Sequence, residues 1–186
     1  MTASISKTLP KRQLKRSEMR TDLAHEGVGE ISNELLLLLS DVFSLFLKTK
    51  NFHWHVTGPH FRDYHQMLDE QADQIFAMTD VIAERARKIG ASTVRSIGDI
   101  SRHQRLKDND EDGLTPLRMF EELQTDNQQL TSFLRRLHEL CDRHNDIATA
   151  SLIEIWVDET ERRIWFLAET QAYLRQPANG SDNTER

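Results

Sequence analysis

Apolar residues recur at intervals of three and four along the first strongly hydrophobic stretch, which predicts a helix over about 28–55. The residues that share its apolar stripe are Ile31, Leu35, Leu38, Val42, Leu45 and Phe46. Further apolar residues beside the stripe, including Leu36, Phe43 and Leu47, widen it beyond one face. Because a helix that is apolar on two faces needs more than one neighbour to cover it, the pattern favours an oligomer.

Glycine and proline mark the ends of the second predicted helix. The Gly58-Pro59 pair ends the first helix and starts the next, since proline fits the first turn of a helix but not its interior. Gly90 is a typical helix stop. The sequence therefore predicts a second helix over about 59–89.

Two later segments repeat the helical pattern. Thr115 and Pro116 match the N-cap and first-turn positions of a helix that runs to about Arg143, and a fourth helix is expected over about 148–174. The long connection before Thr115 contains a further short helix, expected over about 96–106. A long crossover lets the second and third helices run parallel. The predicted fold class is therefore all-α, a four-helix bundle with a short extra helix in the crossover between helices 2 and 3.

Charge divides the chain into a basic start and an acidic body. The basic residues of the start are Lys7, Lys11, Arg12, Lys15, Arg16 and Arg20. With one acid these give residues 1–20 a net charge of +5, and because the whole chain carries −6, the remainder carries −11. We interpret 1–20 as a basic flexible tail, 21–175 as the bundle and 176–186 as a disordered tail. The alternative for the basic segment is a frayed or solubilising end.

The single cysteine, Cys141, allows no disulfide within the chain and fits a reducing cytoplasm. No secretory signal follows the N-terminus, and the richest apolar run, over 35–39, is too short to span a bilayer. Neither a Cys-x-x-Cys motif nor a glycine-rich phosphate loop is present. We therefore expect a cytoplasmic protein with no membrane partner.

Histidines and carboxylates recur at helical spacing in the first two predicted helices. His65 and Asp69 are four residues apart and share one face, and Asp80 and Glu84 repeat that spacing on the same face. The two pairs lie roughly 16 Å apart along the axis, too far to hold one ion within one chain. Either the two pairs serve unrelated purposes, or a second copy of the helix packs antiparallel to the first. In that case the Asp80 and Glu84 of one copy meet the His65 and Asp69 of the other. His53 can fold back toward His65 across the turn.

Each pair alone is more often a surface hydrogen bond or a solvated helix face than a metal site. Their common face and the preceding His53 move the interpretation toward metal binding. Two imidazoles and three carboxylates form a mixed nitrogen and oxygen donor set, which suits iron or manganese. No thiolate is present to favour a cysteine-rich zinc site. The predicted metal-binding residues are His53, His65, Asp69, Asp80 and Glu84.

Three short motifs resemble one known family. His-Trp-His-Val-x-Gly-Pro-x-Phe over 53–61, His-x-x-x-Asp over 65–69 and Asp-x-x-x-Glu-Arg over 80–85 are similar to the signature of Dps, the DNA-binding protein from starved cells. Dps is a ferritin-like mini-ferritin, and the resemblance covers about 28–175. The catalytic iron ligands that it implies are His53, His65 and Asp69 of one subunit, with Asp80 and Glu84 supplied by its twofold partner.

The resemblance implies a ferritin-like four-helix subunit that assembles into a hollow dodecamer of dimers. It also implies an oxidoreductase, a ferroxidase that oxidises Fe(II) to Fe(III) with hydrogen peroxide at the dimer interface and stores a ferric mineral. Such chemistry protects DNA from oxidative damage. Trp54, beside His53, matches a family residue that donates electrons or traps radicals. No Glu-x-x-His pair occurs on the predicted helices, which argues against an iron centre within one subunit.

One family feature is only partly kept. Dps cages admit iron through acidic threefold pores near the start of the fourth helix. Asp146 matches a pore acid, whereas Ala148 and Ser151 stand where relatives often have acids. Glu154 and Asp158 are the candidates to compensate.

Two other functions stay open. The first is nonspecific compaction of DNA, in which the basic residues of the 1–20 tail bind phosphates and the metal site is secondary. The second is a non-catalytic helical assembly that holds zinc at its interface. Oxidation of Fe(II) by oxygen and by peroxide, followed optically, separates the enzyme from both alternatives.

Overall fold

The structure, a computed structural model, describes residues 21–175, and within that range it contains five helices and no strand. These are α1 (His25–His55), α2 (Phe61–Lys88), α3 (Ile97–His103), α4 (Pro116–Arg143) and α5 (Ile147–Leu174). The four long helices form one bundle, and α3 lies in the crossover between α2 and α4. The predicted all-α class, a four-helix bundle with a short extra helix, is confirmed. The tails predicted over 1–20 and 176–186 lie outside the described residues.

The bundle is built from two helix pairs around one apolar core. α1 packs along α2, α4 packs along α5, and α1 also contacts α3 and α4. Ile31, Leu35 and Leu45, from the predicted stripe of α1, are fully buried. Leu47, from the widened part of that stripe, is 59% exposed. A single chain therefore leaves part of the apolar surface of α1 uncovered.

A fully buried carboxylate ties the crossover to α1. Asp41 accepts hydrogen bonds from the backbone nitrogens of Arg105 and Leu106 at 2.5 and 3.1 Å, and from Nε of Arg105 at 2.8 Å. The guanidinium of Arg105 lies over the ring of Phe133, 3.8 Å from its centroid. Because the chain must turn to reach Asp41, α3 ends at His103, before the predicted end at 106.

The turn between α1 and α2 differs slightly from the prediction. Gly58 has a φ of 110°, a conformation that favours glycine, and the backbone nitrogen of Phe61 donates to its carbonyl oxygen at 3.1 Å. Pro59 therefore lies in the turn, and α2 begins at Phe61. This turn sets how the end of α1 approaches the start of α2.

The long helices bury charge as well as apolar side chains. Lys48 of α1 is buried, and its Nζ lies 2.8 Å from carboxylate oxygens of both Glu122 and Asp126 on α4. Burial raises the pKa of Asp126, and the hydrogen bond from Lys48 opposes that shift. Over residues 21–175, no helix combines the length and apolar character needed to cross a membrane.

Candidate metal centre

The turn after α1 stacks two histidine side chains. The rings of His53 and His65 have centroids 3.6 Å apart and planes inclined by 23°. His53 is buried, and Phe61 also lies near His65, with 5.1 Å between ring centroids. This is the return of His53 toward His65 that the sequence predicted.

Reciprocal hydrogen bonds fix both imidazoles. Nδ1 of His53 lies 2.8 Å from the carbonyl oxygen of His65, and Nδ1 of His65 lies 2.8 Å from the carbonyl oxygen of His53. A carbonyl oxygen only accepts, so each Nδ1 must carry the hydrogen. In a neutral imidazole the other nitrogen, Nε2, is then an unprotonated donor atom available to a metal ion. The pair thus presents two oriented nitrogen atoms with free lone pairs.

Asp69 adds a carboxylate beside the two rings. Its Oδ1 lies 3.7 Å from Nε2 of His53 and accepts a hydrogen bond from Nζ of Lys50 at 2.5 Å. That hydrogen bond, together with the charge of Lys50, holds the pKa of Asp69 below its usual range. Sequence reasoning missed Lys50, although Lys50 precedes His53 by three residues and so shares its helical face.

Asp80 and Glu84 do not meet the histidines within one chain. Both are exposed on α2, and Glu84 accepts a hydrogen bond from Lys88 at 2.9 Å. Three turns of helix, roughly 16 Å, separate Asp80 from Asp69. Among residues 21–175 of the single chain, no group of three or more His, Cys, Asp or Glu residues is placed to hold a metal ion. The structure therefore brings His53, His65 and Asp69 close together without placing these three alone to hold an ion, and it leaves the second pair apart.

Asp80 borders an apolar groove on the surface of the single chain. The groove lies between α1, α2 and the start of the crossover, and Phe76 at its edge is half exposed. Trp54, in the last turn of α1, is 58% exposed. Large apolar side chains left this open typically mark a surface that another molecule covers. The groove is lined by Leu39, Phe43, Phe76, Ala83 and Val94.

Lys50 pairs with Oδ1 of Asp69, the oxygen that lies 3.7 Å from Nε2 of His53, so we expect a Lys50→Met variant to bind metal more tightly. Binding in the wild type must first break the Lys50–Asp69 pair, and such partly exposed pairs are weak, so we expect a gain of roughly two- to fivefold. Calorimetric titration with Co(II), which resists oxidation, measures this at neutral pH. The pKa of Asp69 should rise in the variant, so its charge should be lost at a higher pH than in the wild type.

Lys50→Arg is the matched control, because it retains a cation that can pair with Asp69. Its affinity for Co(II) should stay near that of the wild type. An unchanged or weaker affinity in Lys50→Met would show that Lys50 does not compete with the metal.

Asp146 has a structural role as a helix cap and ion-pair partner, which the sequence analysis did not predict. It is buried and caps α5 by accepting a hydrogen bond from the backbone nitrogen of Thr149 at 3.0 Å. It also accepts hydrogen bonds from Oγ1 of Thr149 and from the guanidinium of Arg85, each at 2.5 Å. Within the single chain Asp146 is thus already paired, and its match to a pore acid stays an implication of the resemblance. Glu154 is exposed, and Nε2 of His138 lies 3.0 Å from one of its oxygens.

The helical bundle belongs to a known class of protein. The family model of the ferritin-like domain matches residues 33–176. An uncharacterised low temperature-induced protein of Nostoc is 32% identical over 148 residues, which are 79% of this chain and 81% of that protein. A DNA protection during starvation protein of Helicobacter pylori is 25% identical over 130 residues, 70% of this chain and 90% of that protein.

Solved structures agree with these sequence matches. The Dps of Thermosynechococcus elongatus aligns with a TM-score of 0.77 and 25% identity, over 82% of this chain and 95% of that chain. The chain belongs to the Dps family of ferritin-like proteins.

Proposed function

We propose that this protein oxidises Fe(II) and stores the ferric product, with iron as its substrate. The observation that carries the proposal is the stacked histidine pair. Its two Nε2 atoms are left free by the reciprocal Nδ1 hydrogen bonds, and Nε2 of His53 lies 3.7 Å from Oδ1 of Asp69, whose pKa is lowered. A mixed set of imidazole and carboxylate donors suits iron. Membership of a ferritin-like family supports iron over manganese or zinc.

Two subunits are needed to complete the donor set. In an antiparallel pair of α2 helices related by a twofold axis, the partner subunit's Asp80 and Glu84 meet His65 and Asp69 of the first subunit. The same axis creates a second, identical site. The uncovered apolar surface of α1 and the groove beside Asp80 support such a contact. By the family resemblance, these dimers assemble further into a hollow dodecamer.

The side chains bind and polarise the iron. His53 and His65 supply neutral nitrogens, whereas Asp69 and the partner subunit's Glu84 supply negative charge, which favours Fe(III) over Fe(II). The partner subunit's Asp80 binds directly or through a water molecule. Each Fe(II) loses one electron, and two of them, with two protons, reduce one hydrogen peroxide to two water molecules.

Trp54 is the candidate for a redox role beside the site. It follows His53 in the chain and its side chain is largely exposed. An indole in that position can supply an electron or take up a radical.

Removal of Fe(II) and peroxide together would leave neither reagent for the radical chemistry that damages DNA.

A kinetic assay on the purified protein tests the proposal. When Fe(II) is added anaerobically and hydrogen peroxide follows, ferric absorbance should rise much faster than in the buffer blank. Oxygen in place of peroxide should give a slower rise. Rates equal to the blank with both oxidants would contradict the proposal and favour a zinc-holding assembly.

Nonspecific DNA binding is the second candidate function, and charge favours it. Residues 1–20 carry +5, whereas the rest of the chain carries −11 and should repel a duplex. Any attraction must therefore come from the basic residues of the tail, which can neutralise phosphates without reading bases. Many tails on one assembly would add to the avidity.

A further inference from the structure

Arg163 carries a positive charge in the core without a negatively charged partner. The side chain, on α5, is 1% exposed. Its Nε donates to Oδ1 of Asn127 at 2.9 Å, and its Nη2 donates to Oγ1 of Thr160 at 2.7 Å. Both acceptors are neutral. Burial lowers the pKa of Arg163 to about 10, and the nearby charge of Glu159 opposes that shift, so the guanidinium remains charged at neutral pH.

Other cations that reach into the bundle are compensated. Lys48, Arg85 and Arg105 each contact at least one carboxylate oxygen within 3.0 Å. For Arg163, by contrast, no carboxylate in the described part of the chain lies within ion-pairing distance. Because an isolated buried charge is costly, Arg163 needs an anionic partner from elsewhere.

A small crevice between α2 and α5 places two unpartnered polar groups together. Nη1 of Arg163 and Oε1 of Gln71 are both buried and have no hydrogen-bond partner among residues 21–175. Gln71 is 4% exposed, and both side chains line the same crevice. The volume of the crevice is about 20 Å³, with Arg162 and Glu70 also at its wall. A cavity of that size holds about one water-sized sphere.

We propose that this crevice binds one small monovalent anion, with chloride as the probe that fits. Phosphate and sulfate are too large for the space. A water molecule would satisfy the unpaired hydrogen-bonding groups but leave the guanidinium charge uncompensated. Chloride accepts a hydrogen bond from the guanidinium and also compensates its charge. The amide of Gln71 can turn about its last bond to present its NH₂ group, because its two ends are similar in shape. Glu70 is exposed and accepts a hydrogen bond from Gln66 at 3.0 Å, so its carboxylate is directed elsewhere.

Thermal unfolding of the full chain in chloride and in gluconate, at matched ionic strength, tests the proposal. The wild type should gain roughly 3–6 °C in apparent Tm when chloride is at ten times its Kd, because ligand that binds only the folded state stabilises it. Arg163→Met, which keeps the volume and removes the charge, should show no difference between the two salts. Arg143→Met, which removes an exposed cation at the end of α4 and outside the crevice, should respond as the wild type does.

Bromide diffraction on wild-type crystals decides the outcome even if Arg163→Met fails to fold. The proposal expects an anomalous peak in contact with Nη1 of Arg163. A wild type with equal Tm in both salts, or crystals with only a water-strength peak and no anomalous signal, would overturn it.

Discussion

Asp69→Ala and Glu84→Ala should each abolish rapid Fe(II) oxidation, although the two carboxylates lie roughly 16 Å apart along one helix. Each substitution removes one anionic ligand from both sites of a symmetric dimer. We expect losses of at least about 100-fold, since even residues that only support metal ligands are commonly worth 10- to 100-fold. Peroxide-driven oxidation followed by ferric absorbance measures this, and circular dichroism should show an unchanged helical content.

Asp63→Ala is the matched control for both variants. Asp63 is an exposed carboxylate in the first turn of α2, and it lies off the face that carries Asp69 and Glu84. Its removal should leave the oxidation rate unchanged. Full activity in Glu84→Ala would mean that the site does not need the second pair of carboxylates.

Removal of residues 1–20 should abolish DNA binding. The full chain should bind duplex DNA without sequence preference, and its affinity should fall steeply with salt, by a slope near −0.9 for each phosphate neutralised. The chain that begins at Thr21 carries −11 and should be repelled. Gel-shift titration at low and at physiological salt compares the two chains.

A full-length chain with glutamine at the six basic positions of the tail is the matched control, because it keeps the length and loses the charge. It should behave like the shortened chain. Equal binding by the full and shortened chains would exclude the tail, and no binding by either would leave an iron-handling protein without a DNA function.

The helices could be predicted because their ends are encoded locally. Thr115 caps α4 and Pro116 follows it, so the predicted and observed bounds of that helix coincide. The buried stripe of α1 could be predicted from the helical period of its apolar residues alone. By contrast, the end of α3 depends on Asp41, a carboxylate far away in the chain, and no local signal marks that contact.

The site was predictable in part for the same reason. Helical spacing placed Asp69 beside His65, and the Gly58-Pro59 break allowed His53 to return. Helical spacing does not show which ring nitrogen of each histidine makes the hydrogen bond and which is left free. The reciprocal Nδ1 bonds depend on the backbone geometry of the turn, and the task of Asp146 depends on Arg85 reaching it from another helix. Arg163 was missed because arginine is mostly exposed in proteins, although its spacing from Trp156 and Leu167 places it on the buried stripe of α5.

Mixing the two inactive variants tests the shared site most directly. When Asp69→Ala and Glu84→Ala subunits are dissociated together and reassembled, half of the dimers should contain one of each. Such a dimer has one intact site and one that lacks both carboxylates, so about a quarter of all sites should be restored. Recovery of about a quarter of the wild-type oxidation rate is the expected result. No recovery, in assembled particles that an affinity tag on one variant shows to contain both, would contradict a site shared between two chains.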